Sequence, residues 1–381
     1  MSLFSFLKRN KESYSLVYNI GSGSISGGII KFTEKQGVNL VYYSKEEIPF
    51  QQELLVSRHL DLMKVTLAAL TNKIRTEGLK KISTKNGESI NIDRAFYIFS
   101  SPWSTSQTKV IKINESKPFK VTESYLSRII VEQEKQFQND LSHRGKIIEK
   151  KIIQAKINGY VVTDIYNKFT KDLEISVYFT VVPDAVLDLV EKTVSRNFNI
   201  INSWCHSSSL SVFSVIRNLF PQKEDFIYID VNEEITDIFI IKDDVILSEA
   251  SFPFGSNHFT REVSSILRVP NEVANSMIKM YCLRNNDQLA ALKMAVIMDK
   301  AARKWLNRIS EILNGFKAKM YVSDSIFLVT NNDLLCFFRE KLQKQDFDVF
   351  VINNKKLKSP VVINDIMFRL VLMFLDNLYK I

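Results

Sequence analysis

Near the middle of the chain, apolar and β-branched residues fill two short runs, 226–229 and 235–241, on either side of a polar turn. This pattern predicts two buried strands joined as a hairpin. Asp230 lies where the first strand ends, and Asp237 lies inside the second. A carboxylate at a strand end can hold a metal ion, or a water molecule beside a phosphate, but hairpins with an Asp at the turn are also common without a ligand.

A second stretch, 15–32, repeats this layout with a hydrophobic strand, a turn rich in glycine and serine, and another strand. In this turn Gly21 and Gly23 would let backbone N–H groups approach an anion closely. The two hairpins begin about 210 residues apart, in a chain whose length favours two to three domains. The repetition therefore predicts a duplicated fold with a cleft between its halves.

The periodicity elsewhere alternates between strands and helices. The residues from 104 to 195 predict a strand, a helix, three further strands and a helix, which together make a small α+β module, and Asn158-Gly159 inside it is a strong hairpin signal. The segment 365–378 is apolar almost all round, so a helix there would be buried. The other predicted strands are 38–48, 95–99, 161–166, 198–203, 245–250, 325–330 and 347–352, and the other predicted helices are 53–77, 207–219, 257–267, 271–283, 290–316 (one helix or two) and 334–342.

The two hairpins resemble the phosphate 1 and phosphate 2 loops of the actin-like ATPase superfamily. The segment 250–263, Ala-Ser-Phe-Pro-Phe-Gly-Ser-Asn-His-Phe-Thr-Arg-Glu-Val, is similar to the I-P-x-G-G-x-x-I-T-x-x-I segment of the bacterial branch that contains FtsA and PilM. The module at 104–195 resembles the insert of that branch, called SHS2 or 1C, most clearly from 153–160 to 180–183. The resemblance implies an α/β, duplicated actin-like (ribonuclease H-like) fold, with two halves around a cleft and a small α+β SHS2-like insert in the first half.

The resemblance also implies a division of the chain into five parts, in which the last helix returns to the first half. These parts are an apolar-basic segment at 1–12, subdomain 1A at 13–103 closed by the helix 365–381, the 1C insert at 104–195, subdomain 2A at 196–255 plus 318–360, and helical subdomain 2B at 256–317.

By the same resemblance, ATP and Mg²⁺ would bind in the cleft, and no residue is assigned a catalytic role. The residues at or near the family's nucleotide-contact positions are Asn19, Gly21, Ser22, Gly23, Asp230, Asn232, Asp237, Gly255, Ser256, Lys279, Thr330 and Asn331, with Asp230 as the metal position, acting through a water molecule. Asn19 replaces an Asp and is neutral, so it cannot supply the charge that orients metal-bound water. Bulky or acidic residues at 232–234 and 330–333 replace glycines and would obstruct a nucleotide. We therefore expect ATP and Mg²⁺ to bind weakly or not at all.

Composition changes this picture in one respect, the nature of the partners. The net charge of +9 and the pI near 9.2 favour anionic partners. No basic segment is interleaved with aromatic residues in the way typical of nucleic-acid binding, and no run of 18 apolar residues predicts a membrane span. The three cysteines are widely spaced, which predicts neither disulfides nor a zinc site and fits a reducing cytoplasm.

The N-terminal segment, from Met1 up to Lys11, reads Met-Ser-Leu-Phe-Ser-Phe-Leu-Lys-Arg-Asn-Lys and is apolar and then basic. It could lie on an anionic membrane surface, with its apolar side chains inserted and its basic side chains on the headgroups. A terminus that packs on the first strand is the equal alternative, because so few apolar residues bind weakly on their own.

The resemblance implies a cytoplasmic scaffold or adaptor of the FtsA or PilM type at the inner face of the cell membrane. It would act in cell division or type IV pilus assembly, with weak or no ATP hydrolysis. Its partners would be membrane-associated division or pilus proteins that contact the module 104–195, with self-association as a further candidate and no nucleic acid. The alternative is an active, polymerising actin-like ATPase that binds ATP and Mg²⁺ in the cleft. A sugar or acetate kinase of the superfamily is disfavoured, because the insert is of another kind and no acidic base is placed for a sugar hydroxyl.

Overall fold

A computed structural model describes residues 13–33, 37–82, 92–140, 145–283, 288–330, 333–353, 357 and 363–379. The segment 1–12, with its candidate membrane contact, lies outside the described residues, and so does Asn331. Within the described ranges, no helix is both long enough and apolar enough to cross a membrane.

The strands, numbered in chain order, follow the β-branched and aromatic runs of the sequence. They are β1 (Ser13–Ile20), β2 (Ser24–Thr33), β3 (Gly37–Glu47), β4 (Arg94–Phe99), β5 (Thr105–Lys120), β6 (Gly145–Ile157), β7 (Tyr160–Val161), β8 (Phe169–Pro183), β9 (Asn202–Ser207), β10 (Phe226–Val231), β11 (Thr236–Lys242), β12 (Val245–Phe252), β13 (Ser325–Thr330) and β14 (Asp348–Val351).

The helices follow the segments with one apolar face, and the first of them continues into a π-helical turn at Ile74–Gly78. They are α1 (Val56–Lys73), α2 (Glu123–Asp140), α3 (Asp184–Ser195), α4 (Ser208–Leu219), α5 (Ser256–Leu267), α6 (Asn271–Cys282), α7 (Gln288–Lys317), α8 (Leu335–Gln343) and α9 (Ile366–Tyr379). The segment predicted as one helix or two is the single helix α7.

Two five-stranded sheets have the same topology. Their strand orders are β3-β2-β1-β4-β9 and β12-β11-β10-β13-β14. In each sheet the three strands that come first along the chain pair with one another in antiparallel fashion. The two strands that come later along the chain run parallel to the first of these three. The glycine-rich hairpin β1–β2 therefore corresponds to the central hairpin β10–β11. This repetition confirms the predicted duplicated α/β fold with two halves.

A third, antiparallel sheet with the order β5-β8-β6-β7 lies between the two halves in sequence, and α2 packs on one of its faces. Asn158 and Gly159, with φ of 50° and 83°, form the predicted hairpin turn between β6 and β7. Helix α3 is the last element of the segment 104–195. Unlike α2, it places Val186, Val190 and Val194 in the core beneath the first sheet. The boundary of the insert on that side therefore stays a proposal.

Two of the predicted strands are wrong in position or length. The strand predicted at 198–203 is β9, which begins only at Asn202, because the N–H groups of Ile201 and Asn202 both bond the Asp93 carbonyl before pairing with β4 starts. The strand predicted at 161–166 shrinks to the two residues of β7. Val162 and Ile165 reach the core of the insert from the loop that follows.

The largest hydrophobic cluster is shared by both halves. It contains Val17 and Phe96 from the first sheet, Tyr228 and Phe327 from the second, and residues of α4 and α9 between them. Helix α9 is buried on nearly all sides, as its apolar sequence predicted. The two sheets therefore pack on common helices, and their strand ends face each other across a cleft.

Candidate functional site between the two halves

A cavity of about 80 Å³ lies in the cleft, where the turn after β1 (the first turn) faces the turn after β10 (the second turn). The parallel strands β1 and β4 of one half, and β10 and β13 of the other, all end at this cleft. Their last residues are brought together there, as at the carboxyl ends of strands in other open α/β sheets. Asn19 and Ser100 line the cavity from the first half, and Asp230 and Thr330 line it from the second.

The first turn is held within the first half. The Gly21 N–H donates to the Ser24 carbonyl over 3.0 Å, and Trp103 Nε1–H donates to the Gly21 carbonyl over 2.7 Å. The Trp103 ring stacks on His59 with centroids 5.0 Å apart. Both backbone groups of Gly21 are therefore engaged by the protein itself.

Helix α5 begins against the second turn. The N–H groups of Ser256 and Asn257 donate to the carbonyls of Asn232 and Glu233 over 2.9 and 2.7 Å. Gly255 permits this approach, because a Cβ there would lie 2.3 Å from the Asn232 carbonyl oxygen. N–H groups at the start of a helix commonly bind anions, but two of these are used by the turn's own carbonyls.

Glu233 reaches from the second turn to the first half. Ser24 Oγ donates to Glu233 Oε1 over 3.0 Å, and Lys45 Nζ lies 3.6 Å from the same oxygen. A Cβ on Gly23 would lie 2.2 Å from the Cβ of Glu233, so the two turns are in direct contact. A carboxylate therefore lies between the two turns that the resemblance associates with phosphate groups.

Glu234 makes a second bridge beside the first. Its N–H donates to Ser22 Oγ over 3.1 Å. Its carboxylate is 5% exposed and accepts from Arg261 and Asn257, each over 2.8 Å. The same Arg261 donates through Nε to the Gln51 carbonyl of the first half over 2.8 Å. The two halves are therefore joined on both sides of the second turn.

Asp365, at the start of α9, closes another side of the cavity. Its Oδ1 accepts from the Phe368 N–H over 2.9 Å and so caps the helix. Its Oδ2 accepts from Ser26 Oγ over 2.6 Å and from the Tyr43 hydroxyl over 2.8 Å. Burial and the Asp365 charge raise the pKa of Tyr43 far above its usual value, so this hydroxyl stays a donor.

Asp230 and Asp237 are directly opposite each other on β10 and β11, and each is 3% exposed. Asn232 Nδ2 donates to Asp230 Oδ2 over 3.1 Å, and Ser251 Oγ donates to Asp237 Oδ1 over 2.5 Å. Burial, with a contribution from the Asp237 charge, raises the pKa of Asp230 well above its ordinary value. Burial also raises the pKa of Asp237 to about 6.

The cavity in the cleft is small beside the usual site of a small ligand. The cavity holds about 80 Å³, whereas sites for small ligands usually hold about 300–1,000 Å³. Glu233 and Asp365 line it against the single basic residue Lys45 among the described lining residues, and Asp230 lines it with a raised pKa that favours its protonated form. The described part of the chain also contains no group of three or more acidic, His or Cys side chains that could hold a metal ion.

The predicted site residues lie in several places. Asn19, Gly21, Asp230, Asn232 and Thr330 line the cavity, Ser22 and Gly23 form the contact between the turns, and Gly255 and Ser256 lie behind the second turn. Asp237 lines a smaller neighbouring cavity, and Lys279 lies on α6, where it forms an ion pair with Asp333 at 3.0 Å. Their roles in binding stay predictions.

Reasoning from the sequence missed several residues of this site, among them Ser26, Lys45 and Asp365. Ser26 and Lys45 lie inside β2 and β3, and nothing in the alternation of those strands distinguishes them from other polar positions. Asp365 directly precedes an apolar helix, which is the signal of a helix N-cap. That signal could have drawn attention to Asp365, although it would not have placed the residue at the cleft.

No model of a protein family matches the sequence, and no curated protein matches it. A chain of the solved structure described as "PilM-PilN type IV pilus biogenesis complex" is similar over 96% of this chain and 98% of its own length, with a TM-score of 0.62 and 9% identity. The chain has the actin-like ATPase fold. At this identity, the likeness to the complex shows the shared actin-like ATPase fold alone.

Two further solved structures are similar at lower scores. The ethanolamine utilization protein EutJ from Carboxydothermus hydrogenoformans is 11% identical, covers 89% of this chain and 84% of its own, and has a TM-score of 0.46. A Bacteroides thetaiotaomicron protein described as having an actin-like ATPase fold and unknown function is 11% identical, with 98% and 99% coverage and a TM-score of 0.42. These scores are too low to support a further conclusion.

Proposed function

We propose that the chain is an adaptor of the PilM type that works without ATP hydrolysis. The observation that carries the proposal is the position of Glu233. Its carboxylate accepts from Ser24 and lies near Lys45, and it joins the two halves between the turns where the resemblance would place phosphate groups. A carboxylate of the protein itself therefore holds the cleft together at the position where a bound anion would otherwise do so.

A ligand can favour a closed cleft only through contacts that it makes better in the closed than in the open arrangement. Here, protein groups already supply such contacts, from Ser24 to Glu233, from Ser22 to Glu234 and from Arg261 to the Gln51 carbonyl. ATP would have to displace Glu233 and bring several negative charges close to Asp365, which also lines the cavity. We therefore expect ATP and Mg²⁺ to bind weakly or not at all.

The fold match to a chain of a pilus biogenesis complex, over 96% of this chain, supports a role in partner binding. We assign the contact to the insert formed by β5 to β8 and α2, by analogy of architecture. The partner would be a membrane-associated pilus protein, at the cytoplasmic face of the membrane. A division protein, as for FtsA, is the second candidate, and genes for pilus assembly or for division next to this gene would decide between them.

The alternative is an actin-like ATPase that polymerises with ATP and Mg²⁺. In that case the contacts between the first and the second turn would have to break before a nucleotide could enter the cleft. Within the described part of the cleft, we find no observation that favours it over the adaptor.

Calorimetric titration of the purified full chain with ATP in the presence of Mg²⁺ tests the proposal. We expect no binding heat at micromolar ATP, because Glu233 and the neighbouring carboxylates exclude the phosphates. An actin-like ATPase with known affinity is the positive control. Micromolar affinity that depends on Mg²⁺ would contradict the proposal, provided that Lys45→Ala abolishes it and the matched Lys192→Ala, on the exposed side of α3, does not.

A further inference from the structure

Helix α7 has an apolar stripe on its solvent side. Leu289, Leu292 and Val296 are 66%, 66% and 71% exposed, and their spacing of three and four residues places them on one face. Met294 and Met298, on the other side of the same turns, are buried in the core of the second half. The stripe therefore does not pack in the core, and its three aliphatic side chains are exposed to solvent.

The end of α6 adds to this stripe. Helix α6 ends at Cys282 and α7 begins at Gln288, so the two helices are joined by a short connection. Leu283 in this connection is 69% exposed, and Met280 in the last turn of α6 is 48% exposed. Exposed apolar residues scattered singly are ordinary, but five of them around one helix-to-helix connection are a concentration that needs an explanation.

The same side of α7 is basic. Lys293, Lys300 and Arg303 are exposed and repeat the helical spacing of Leu289, so they share its face. None of the three forms an ion pair with another described residue. Asp299, the acidic residue of this stretch, is instead paired with Lys341. The face therefore combines aliphatic side chains with three basic side chains, of which Lys300 also acts electrostatically on Glu262 of α5.

We propose that this surface, the α7 face, binds an anionic lipid surface. We define the α7 face as Met280, Leu283, Leu289, Leu292, Lys293, Val296, Lys300 and Arg303. The aliphatic side chains enter the boundary between headgroups and acyl chains, and the basic side chains contact lipid phosphates. Buried apolar area and attraction between basic side chains and anionic lipids are the two contributions to binding at a membrane interface, and the α7 face offers both.

Charge complementarity favours lipid over a second copy of this chain. A symmetric pairing of two α7 faces would collect Lys293, Lys300 and Arg303 of both copies in one interface, and the α7 face as defined contains no acidic residue to offset them. The net charge of +9 also favours an extended anionic surface. The inference deepens the proposed adaptor role, on which it rests, by naming how the chain sits on the membrane.

Co-sedimentation of the full chain with vesicles tests the proposal. The vesicles contain phosphatidylcholine with or without phosphatidylglycerol, and they hold no protein and no nucleotide, so the result is independent of the ATP titration. We expect binding to the anionic vesicles that weakens with added salt. The variant Leu289→Ser/Leu292→Ser/Val296→Ser should bind about ten-fold more weakly, because the apolar contact is lost.

A matched variant carries Val56→Ser, Val65→Ser and Ile201→Ser, at positions that are 84%, 63% and 67% exposed elsewhere on the molecule. Its binding should stay within about two-fold of the unaltered chain. The variant Lys293→Glu/Lys300→Glu/Arg303→Glu should lose binding at least ten-fold, about as strongly as the serine variant. Its control, Arg58→Glu/Lys64→Glu/Lys81→Glu on the exposed side of the first half, should retain more binding than it.

Four outcomes would overturn the proposal. The first is that the unaltered chain does not bind anionic vesicles. The second is that the α7-face variants bind as tightly as their controls. The third is that binding is lost only when residues 1–11 are deleted. The fourth is unchanged vesicle binding of α7-face variants that instead lose self-association in sedimentation velocity, which would assign the face to a second copy. Circular dichroism of each variant shows whether the fold is intact.

Discussion

At the scale of single residues, the contact between Gly23 and Glu233 decides what the cleft can hold. Gly23 does not have a positive φ, so its backbone would accept other residues, and the reason for a glycine is space alone. The Glu233 side chain fills that space and accepts from Ser24. The small residue thus serves the contact between two protein turns, whereas glycines in such a turn are usually explained by the approach of a phosphate.

Gly23→Ala should therefore destabilise the protein, by about 1–3 kcal/mol, because its Cβ overlaps the Cβ of Glu233 and pushes the two turns apart. Chemical denaturation of the unaltered and variant chains measures the change. Adding Glu233→Gly should restore part of the loss, since it removes the overlapping atom. The control is Gly315→Ala within α7, where a Cβ would have no neighbour within 4 Å and a gain of up to about 1 kcal/mol is expected. Equal effects at both glycines would contradict this explanation.

At the scale of elements, the strand pairs of both halves were predictable, because β10 and β11 are continuous β-branched runs separated by a polar turn. The register then follows, and it places Asp230 opposite Asp237. The site was less predictable, because Lys45 and Asp365 come from β3 and α9, far from the turns in sequence. Only the packing of α9 between the sheets brings them to the cavity, and local pattern carries no information about such packing.

The opposed carboxylates on β10 and β11 give the protein a pH-dependent stability. Burial raises the pKa of Asp237 to about 6 in the folded state, so the folded chain binds its proton more tightly than the unfolded chain does. The contribution of Asp237 to stability should consequently fall as the pH rises from about 4 to about 6. Asp237→Asn cannot ionise, and its stability relative to the unaltered chain should rise by up to about 3 kcal/mol across that window.

Urea denaturation at several pH values between 4 and 8 measures this difference. The control is Asp188→Asn on the exposed surface of α3, where Asp188 forms an ion pair with Lys192 at 2.9 Å and both side chains are more than half exposed. Its effect on the free energy of unfolding should be within about 1 kcal/mol and nearly independent of pH. A stability difference for Asp237→Asn that stays flat with pH, or that favours the unaltered chain at pH 7, would show that the buried carboxylate is not destabilised.

At the scale of the whole molecule, the two halves share a core as well as a cleft. The largest hydrophobic cluster takes Phe96 from the first sheet and Phe327 from the second, with Phe374 of α9 between them. The contacts of Glu233 and Arg261 join the halves again at the cleft. Duplicated folds often move as two bodies around a ligand, but here the largest cluster and the contacts at the cleft both join the halves.

Each half has a cluster of its own, but opening either half would expose its side of the largest, shared cluster, so we expect both halves to unfold in one cooperative step. Hydrogen exchange of the unaltered chain, followed by mass spectrometry at increasing denaturant, measures this for each segment. The slowest amides of β1 and β4 should have the same free energy of opening, and the same denaturant dependence, as those of β10 and β13. The insert has its own hydrophobic cluster and so provides an internal comparison for a unit that can open by itself. A free energy of opening about 2 kcal/mol lower in one half than in the other would show that the shared cluster and the cleft contacts do not couple them.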